Sequence, residues 1–103
     1  MHCVCEQWHV GHTAGHLPTD HGFDHFLGLP YSQDIGYTTG NTTAGHACDL
    51  RECGNASWGC YPVPLMRDGA VVQQPVQLES LTSHYLSESL RFLRAAVDKP
   101  WLL

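Results

Sequence analysis

The chain has 103 residues, enough for one domain with a small core. Hydrophobic residues make up 43% and charged residues only 15%, which excludes a disordered tail. Ten acidic residues against five Lys and Arg give a formal net charge of −5, too few cations for a nucleic-acid-binding patch, and no apolar run is long enough to span a membrane.

Residues 1–6, Met1-His2-Cys3-Val4-Cys5-Glu6, lack the basic and apolar regions of a signal peptide. From there to residue 77, Gly and Pro recur so often that no long helix fits. Cys60-Tyr61 and Val71-Val72-Gln73-Gln74 are the segments that read as short strands. The pattern changes near Leu78. Leu81, Tyr85, Leu86, Ser89, Phe92, Leu93, Ala96 and Val97 fall at three- and four-residue steps and predict an amphipathic helix over about 80–97. Ser80 or Thr82 is expected to supply its N-cap oxygen, and Glu88 and Arg91 to pair on its wet face. Lys99-Pro100-Trp101-Leu102-Leu103 then reads as the start of a strand, so helix and strand together make half of an α/β unit. Ending there, the chain is expected to be a piece of a longer protein.

The five cysteines are Cys3, Cys5, Cys48, Cys53 and Cys60. Two glycosylation sequons, at Asn41 and Asn55, lie in the same loop-like region as the last three of them, a combination that suits an oxidising compartment. Spacing leaves the pairing of Cys48, Cys53 and Cys60 open: one local disulfide and leftover thiols.

Of the eight histidines, five lie between His9 and His25. One reading is metal ligation by His12-x3-His16 and His21-x3-His25 with Cys3-x-Cys5. Two histidines four apart face one ion only on a helix, and Gly15, Pro18 and Gly22 oppose a helix here. A second reading is structural, with neutral imidazoles donating and accepting in turns. The third is catalytic.

The catalytic reading rests on order and spacing. Gln7-Trp8-His9-Val10-Gly11 is followed by His21-Gly22-Phe23-Asp24-His25-Phe26-Leu27-Gly28-Leu29-Pro30-Tyr31-Ser32-Gln33-Asp34. These segments resemble the G-K-W-H-L-G and H-G-F-D-x-F-x-G-x-P-Y-S-x-D motifs of the sulfatase family, arylsulfatase type. Downstream, Gln74-Pro75-Val76-Gln77-Leu78, the run from Leu81 to Glu88, and Lys99–Leu103 resemble the family's Q-P-x-x-L, L-T-x-x-Y-x-x-E and P-F-F-L-Y segments. The resemblance spans Gln7 to Leu103 and leaves residues 1–6 atypical.

It implies an α/β fold, here a fragment of an alkaline-phosphatase-like sulfatase domain. Residues 7–34 would be an active-site loop, 35–77 a cysteine-bearing excursion with short strands, and 78–103 the helix and strand start. It implies sulfate-ester hydrolysis by a formylglycine nucleophile and a calcium ion, on a sulfated small molecule or glycan, in a lysosomal or secreted parent enzyme. His9 takes the position of the histidine that holds the nucleophile's hydroxyl, Ser32 that of a hydroxyl at the sulfate pocket, and Gln7 that of a lysine. The resemblance also implies one disulfide among Cys48, Cys53 and Cys60. No cysteine lies in a C-x-P-S-R motif and the family's calcium ligands are not in these residues, so the chain alone is expected to be inactive. The competing expectations are a non-catalytic truncated product and a small His/Cys metal-binding module. The helix face of Leu81, Tyr85, Phe92, Leu93 and Ala96 is expected to have little to pack on, which predicts marginal stability.

Overall fold

The computed structural model describes residues 1–32 and 62–103. The strand expectation at Cys60-Tyr61 lies outside them. Four short strands, β1 (Cys3–Val4), β2 (His25–Gly28), β3 (Leu65–Arg67) and β4 (Ala70–Gln73), form one mixed sheet in that order, and the helix α1 spans Leu78–Ala95. β1 and β2 are parallel, pairing Cys3 with His25 and Val4 with Phe26. β3 runs antiparallel to both of its neighbours, β2 and β4.

Each strand is fixed by a local cause. β3 and β4 join through Asp68-Gly69, with Arg67 opposite Ala70 and φ of 48° and 91° at the two turn residues. A two-residue hairpin loop of type I′ needs positive φ at both positions, which is why Asp-Gly suits it. The Asp68 carboxylate also accepts from the Phe26 backbone N–H at 2.8 Å, and Asp68 N–H donates to Phe26 O at 3.0 Å, so the turn clamps β2. At the other edge Asp24 accepts from the His2 N–H at 2.7 Å, while the Asp24 and His25 N–H groups donate to His2 O. The H-G-F-D segment therefore holds the chain's first residues on the sheet. That backbone hydrogen bond keeps the Asp24 carboxyl below its ordinary pKa. Residues 1–6, atypical in sequence, supply the edge strand β1. The outer side of β1 is covered by the chain end, where Cys3 N–H donates to Leu102 O at 3.0 Å and Leu102 N–H to Met1 O at 2.9 Å. The strand start expected at Lys99–Leu103 is this parallel bridge.

Successive residues of β2 point to opposite faces, and both faces are covered. Leu27, with Leu29, Val63, Leu65 and Val76, forms one buried cluster, against which Leu78, Leu81 and Tyr85 of α1 pack. Phe26, with Val4 and Met66, forms a second on the other face, under Trp8, Leu17 and Phe23 of the loop. Burial on both sides makes these strands short apolar pairs, not alternating patterns.

The helix differs from the sequence expectation in three respects. It starts at Leu78, two residues early, and its N-cap is Gln77 with no side-chain cap. Ser80 Oγ instead donates to Gln77 O at 3.1 Å, and Gln73 Oε1 of β4 accepts from the Gln77 N–H at 3.0 Å, so neither Ser80 nor Thr82 is the N-cap. The inward stripe runs Leu81, Tyr85, Glu88, Phe92 and Ala96, leaving Leu86 and Val97 in solvent. Glu88 is not on the wet face: it is 5% exposed, and its carboxylate accepts from Arg67 of β3 at 3.0 Å and from Arg91. Burial alone would raise its pKa, but the Arg91 hydrogen bond and the charges of Arg67 and Arg91 outweigh it and hold the carboxyl below its ordinary value.

Candidate functional site

Beyond β1 the chain keeps running beside the continuation of β2. Gln7 bridges Leu29 in parallel, Trp8 N–H donates to Leu29 O at 2.9 Å, and His9 N–H donates to Pro30 O at 3.3 Å. The two segments therefore leave the sheet together, at the carboxyl ends of two parallel strands. That is the end at which open α/β sheets form ligand crevices. Gln7 and His9 lie there, both exposed, and half-buried Ser32 follows two residues after Pro30, whose carbonyl holds His9.

The close approach depends on Gly28. A Cβ on Gly28 would lie 1.8 Å from the Glu6 carbonyl oxygen and 2.7 Å from the Phe26 ring. Only a residue without a side chain lets the Glu6–Trp8 backbone rest on β2.

Trp8 is the anchor between the two candidate residues. Its indole N–H donates to His16 O at 2.8 Å, and its ring packs edge-on to Phe23 with centroids 6.0 Å apart and tilted against His21 at 5.8 Å. His9 then turns outward with φ of 60°, a left-handed conformation that costs a non-glycine residue on the order of 1–3 kcal/mol. The hydrogen bonds of Trp8 and His9 to Leu29 and Pro30 hold it there.

The other histidines disperse. His12 meets Tyr31 edge-on at 5.2 Å, His21 meets Trp8, and His25 meets Phe92 at 6.0 Å. Burial raises the Tyr31 phenol above its ordinary pKa. The Nδ1 atoms of His25 and His84 are buried without a hydrogen-bond partner. Among the described residues no three His, Cys, Asp or Glu side chains gather where they could hold a metal ion. The spaced pairs His12/His16 and His21/His25 therefore do not build a metal centre with Cys3 and Cys5, because the loop between them is a 3-10 turn (Pro18–His21) and not a long helix. A calcium ion likewise finds no ligand set among these residues.

Asn41, Asn55, Cys48, Cys53 and Cys60 lie outside the described residues. Cys3 and Cys5 are free thiols. Sequence reasoning missed Gly28, which seats the Gln7–His9 segment, and Asp24, which holds His2 on the sheet; their place in the F-D-x-F-x-G run was the available signal.

No family model matches the chain. Among curated proteins it is 34% identical to arylsulfatase G of Mus musculus over 107 residues, covering 94% of this chain and 20% of that protein. Against arylsulfatase G of Homo sapiens it is 33% identical over 113 residues, covering 97% of this chain and 21% of the relative. Against arylsulfatase A of Bos taurus it is 35% identical over 86 residues, with 82% and 17% covered. The chain spans about a fifth of the length of these relatives.

Proposed function

The chain belongs to the sulfatase family, and on that premise we propose that residues 7–32 form one wall of the sulfate pocket of an arylsulfatase-type sulfuric ester hydrolase. The observation that carries this reading is the left-handed, exposed His9 beside Gln7, held at the carboxyl ends of two parallel strands by its hydrogen bond to Pro30 O, two residues before Ser32. A strained residue fixed by its surroundings is a mark of a functional position.

Each side chain has a role its chemistry permits. The His9 imidazole holds the hydroxyl of the attacking group and accepts or returns its proton. The Ser32 hydroxyl donates to a sulfate oxygen without adding charge. Gln7 offers the sulfate a neutral amide where the family's lysine offers a full charge, and Glu6 adds a negative charge nearby. Hydrogen bonds to charged partners are roughly twice as strong as neutral ones. Replacing lysine by glutamine therefore weakens transition-state stabilisation by about 1–2 kcal/mol, roughly tenfold in rate.

The nucleophile motif C-x-P-S-R is not in these 103 residues, and the described residues hold no calcium site. No step is therefore assigned to the nucleophile or to the ion, and the chain alone has no turnover. The substrate of the parent enzyme is a sulfated small molecule or glycan. Its place is the lysosome or the outside of the cell, a reading that the sequons at Asn41 and Asn55 support.

The test is a graft. Residues 7–32 replace the matching stretch of an active arylsulfatase, and turnover of a chromogenic aryl sulfate is measured with calcium present. The graft should be folded and slow, and Gln7→Lys should recover about tenfold in kcat/KM. A graft that folds but is indifferent both to Gln7→Lys and to His9→Ala would refute the assignment.

A further inference from the structure

Cys3 and Cys5 are the nucleophilic pair that the sulfate-pocket reading leaves unused. Two residues apart along β1 and its continuation, they project from one side of the chain, and their Sγ atoms lie 3.3 Å apart. Cys3 is 2% exposed and Cys5 half-buried. Both line a cavity of about 370 Å³ shared with Glu6, Phe23, Ser89 and Leu102, which gives a small reagent a way in.

We infer that Cys3 and Cys5 form a dithiol–disulfide couple whose oxidation shortens β1 and loosens the Gln7–His9 segment. The geometry gives the reason. Residues two apart in an extended strand are about 6.6–6.8 Å apart at Cα. A disulfide accepts Cα separations of roughly 4.4–6.8 Å and favours the middle of that range. Bridging Cys3 to Cys5 therefore contracts a segment held on one side by β2 and on the other by Leu102. The contraction is passed to Gln7, Trp8 and His9, whose backbone is tied to Leu29 and Pro30.

The chemistry is a two-step exchange with a low-molecular-weight disulfide. The Cys5 thiolate, nearer to solvent, attacks one sulfur of the oxidant and expels the first small thiolate, forming a mixed disulfide. The Cys3 thiolate then attacks Cys5 Sγ and expels the second. Two protons leave Cys3 and Cys5 and two small thiols result, so the couple loses two electrons and the oxidant gains them. Burial, with the neighbouring Cys5 adding to it, pushes the Cys3 thiol up to about 12, which makes the second step the slower one and speeds it as pH rises. The couple does not depend on the sulfatase reading.

The experiment treats the full chain with oxidised glutathione, blocks remaining thiols with iodoacetamide, and maps the chymotryptic peptide ending at Trp8. The expected product is that peptide lighter by two hydrogens and unalkylated until a dithiol reductant is added. Exchange at the Trp8 and His9 amides should rise about tenfold on oxidation, the loss of roughly one hydrogen bond's protection. A Cys3→Ser chain should instead accumulate glutathione on Cys5; should that variant not fold, the unmodified chain decides alone. Alkylation of both Cys3 and Cys5 after oxidation, or their linkage to Cys48, Cys53 or Cys60, would overturn the couple. Unchanged amide exchange in the bridged chain would overturn its link to β1.

Discussion

Replacing Gly28 by alanine tests whether the approach of Glu6 to β2 builds the Gln7–His9 segment. The added methyl would sit 1.8 Å from the Glu6 carbonyl oxygen, about 1.6 Å inside the ordinary 3.4 Å contact limit, and 2.9 Å from the Glu6 carbonyl carbon. Both atoms are backbone, so no rotamer change relieves the overlap, and the two segments must part. Parting them breaks the Trp8-to-Leu29 and His9-to-Pro30 hydrogen bonds. Two such bonds contribute about 1 kcal/mol each, and overpacking adds about 1–3 kcal/mol. The total is roughly 3–5 kcal/mol, or about a hundredfold or more in the opening equilibrium. Amide exchange by NMR on the full chain reads it directly. In Gly28→Ala the Trp8 and His9 amides should lose about a hundredfold in protection, while the Val76 amide, bonded to Val63 O at 2.7 Å, changes less. Protection at Trp8 within about threefold of the parent chain would refute the close-approach argument.

Glu88 ties α1 to β3, and its folded pKa is lowered, so its stabilisation is present above the ordinary carboxylate value of 4.5 and fades as pH falls through the folded value. Fluorescence-monitored urea unfolding should show stability dropping below about pH 4, and Glu88→Gln should remove most of that dependence. The same variant should cost about 1–3 kcal/mol at neutral pH, below the full penalty for a buried pair because the Arg67 and Arg91 side chains are 47% and 60% exposed. At the hairpin turn, Asp68→Asn keeps an acceptor for Phe26 N–H and a residue tolerant of φ of 48°, so melting should barely move. Asp68→Val loses both and should cost more than about 2 kcal/mol by the same melting curve.

How much of this was legible follows from where each signal lives. The helix was readable because α1 shows solvent on one side, so its apolar residues recur; the stripe drawn from periodicity still included Leu86 and Val97 and put Glu88 in water. Its buried place depends on Arg67, 21 residues earlier on a strand, which no i,i+3 rule can see. β4 was readable from Val71-Val72. β2 and β3 were not, because Phe26-Leu27 and Leu65-Met66 send one residue to each covered face and never alternate with polar ones. The pairing of β3 with β4 was nonetheless advertised by Asp68-Gly69, a hairpin signal between Leu65-Met66 and Val71-Val72. The candidate site was legible as residue types in order, Trp8-His9 and Pro30-Tyr31-Ser32. Its geometry was not, because the seating of one segment on the other is decided by the missing side chain of Gly28.

The antiparallel pairing of Gly28 with Met66 places the two ends of residues 29–64 one strand apart. A stretch whose ends are held together by neighbouring strands can lengthen at little thermodynamic expense, about 0.6 kcal/mol for each doubling. The sheet is thus built around a splice point. Sequence can be inserted or removed between β2 and β3 over evolutionary time without re-registering a single ladder bond, while β1, β2 and the turn at Asp68 admit almost no change in length. Related chains should differ most in size at this junction and least in the spacing between Trp8 and Gly28.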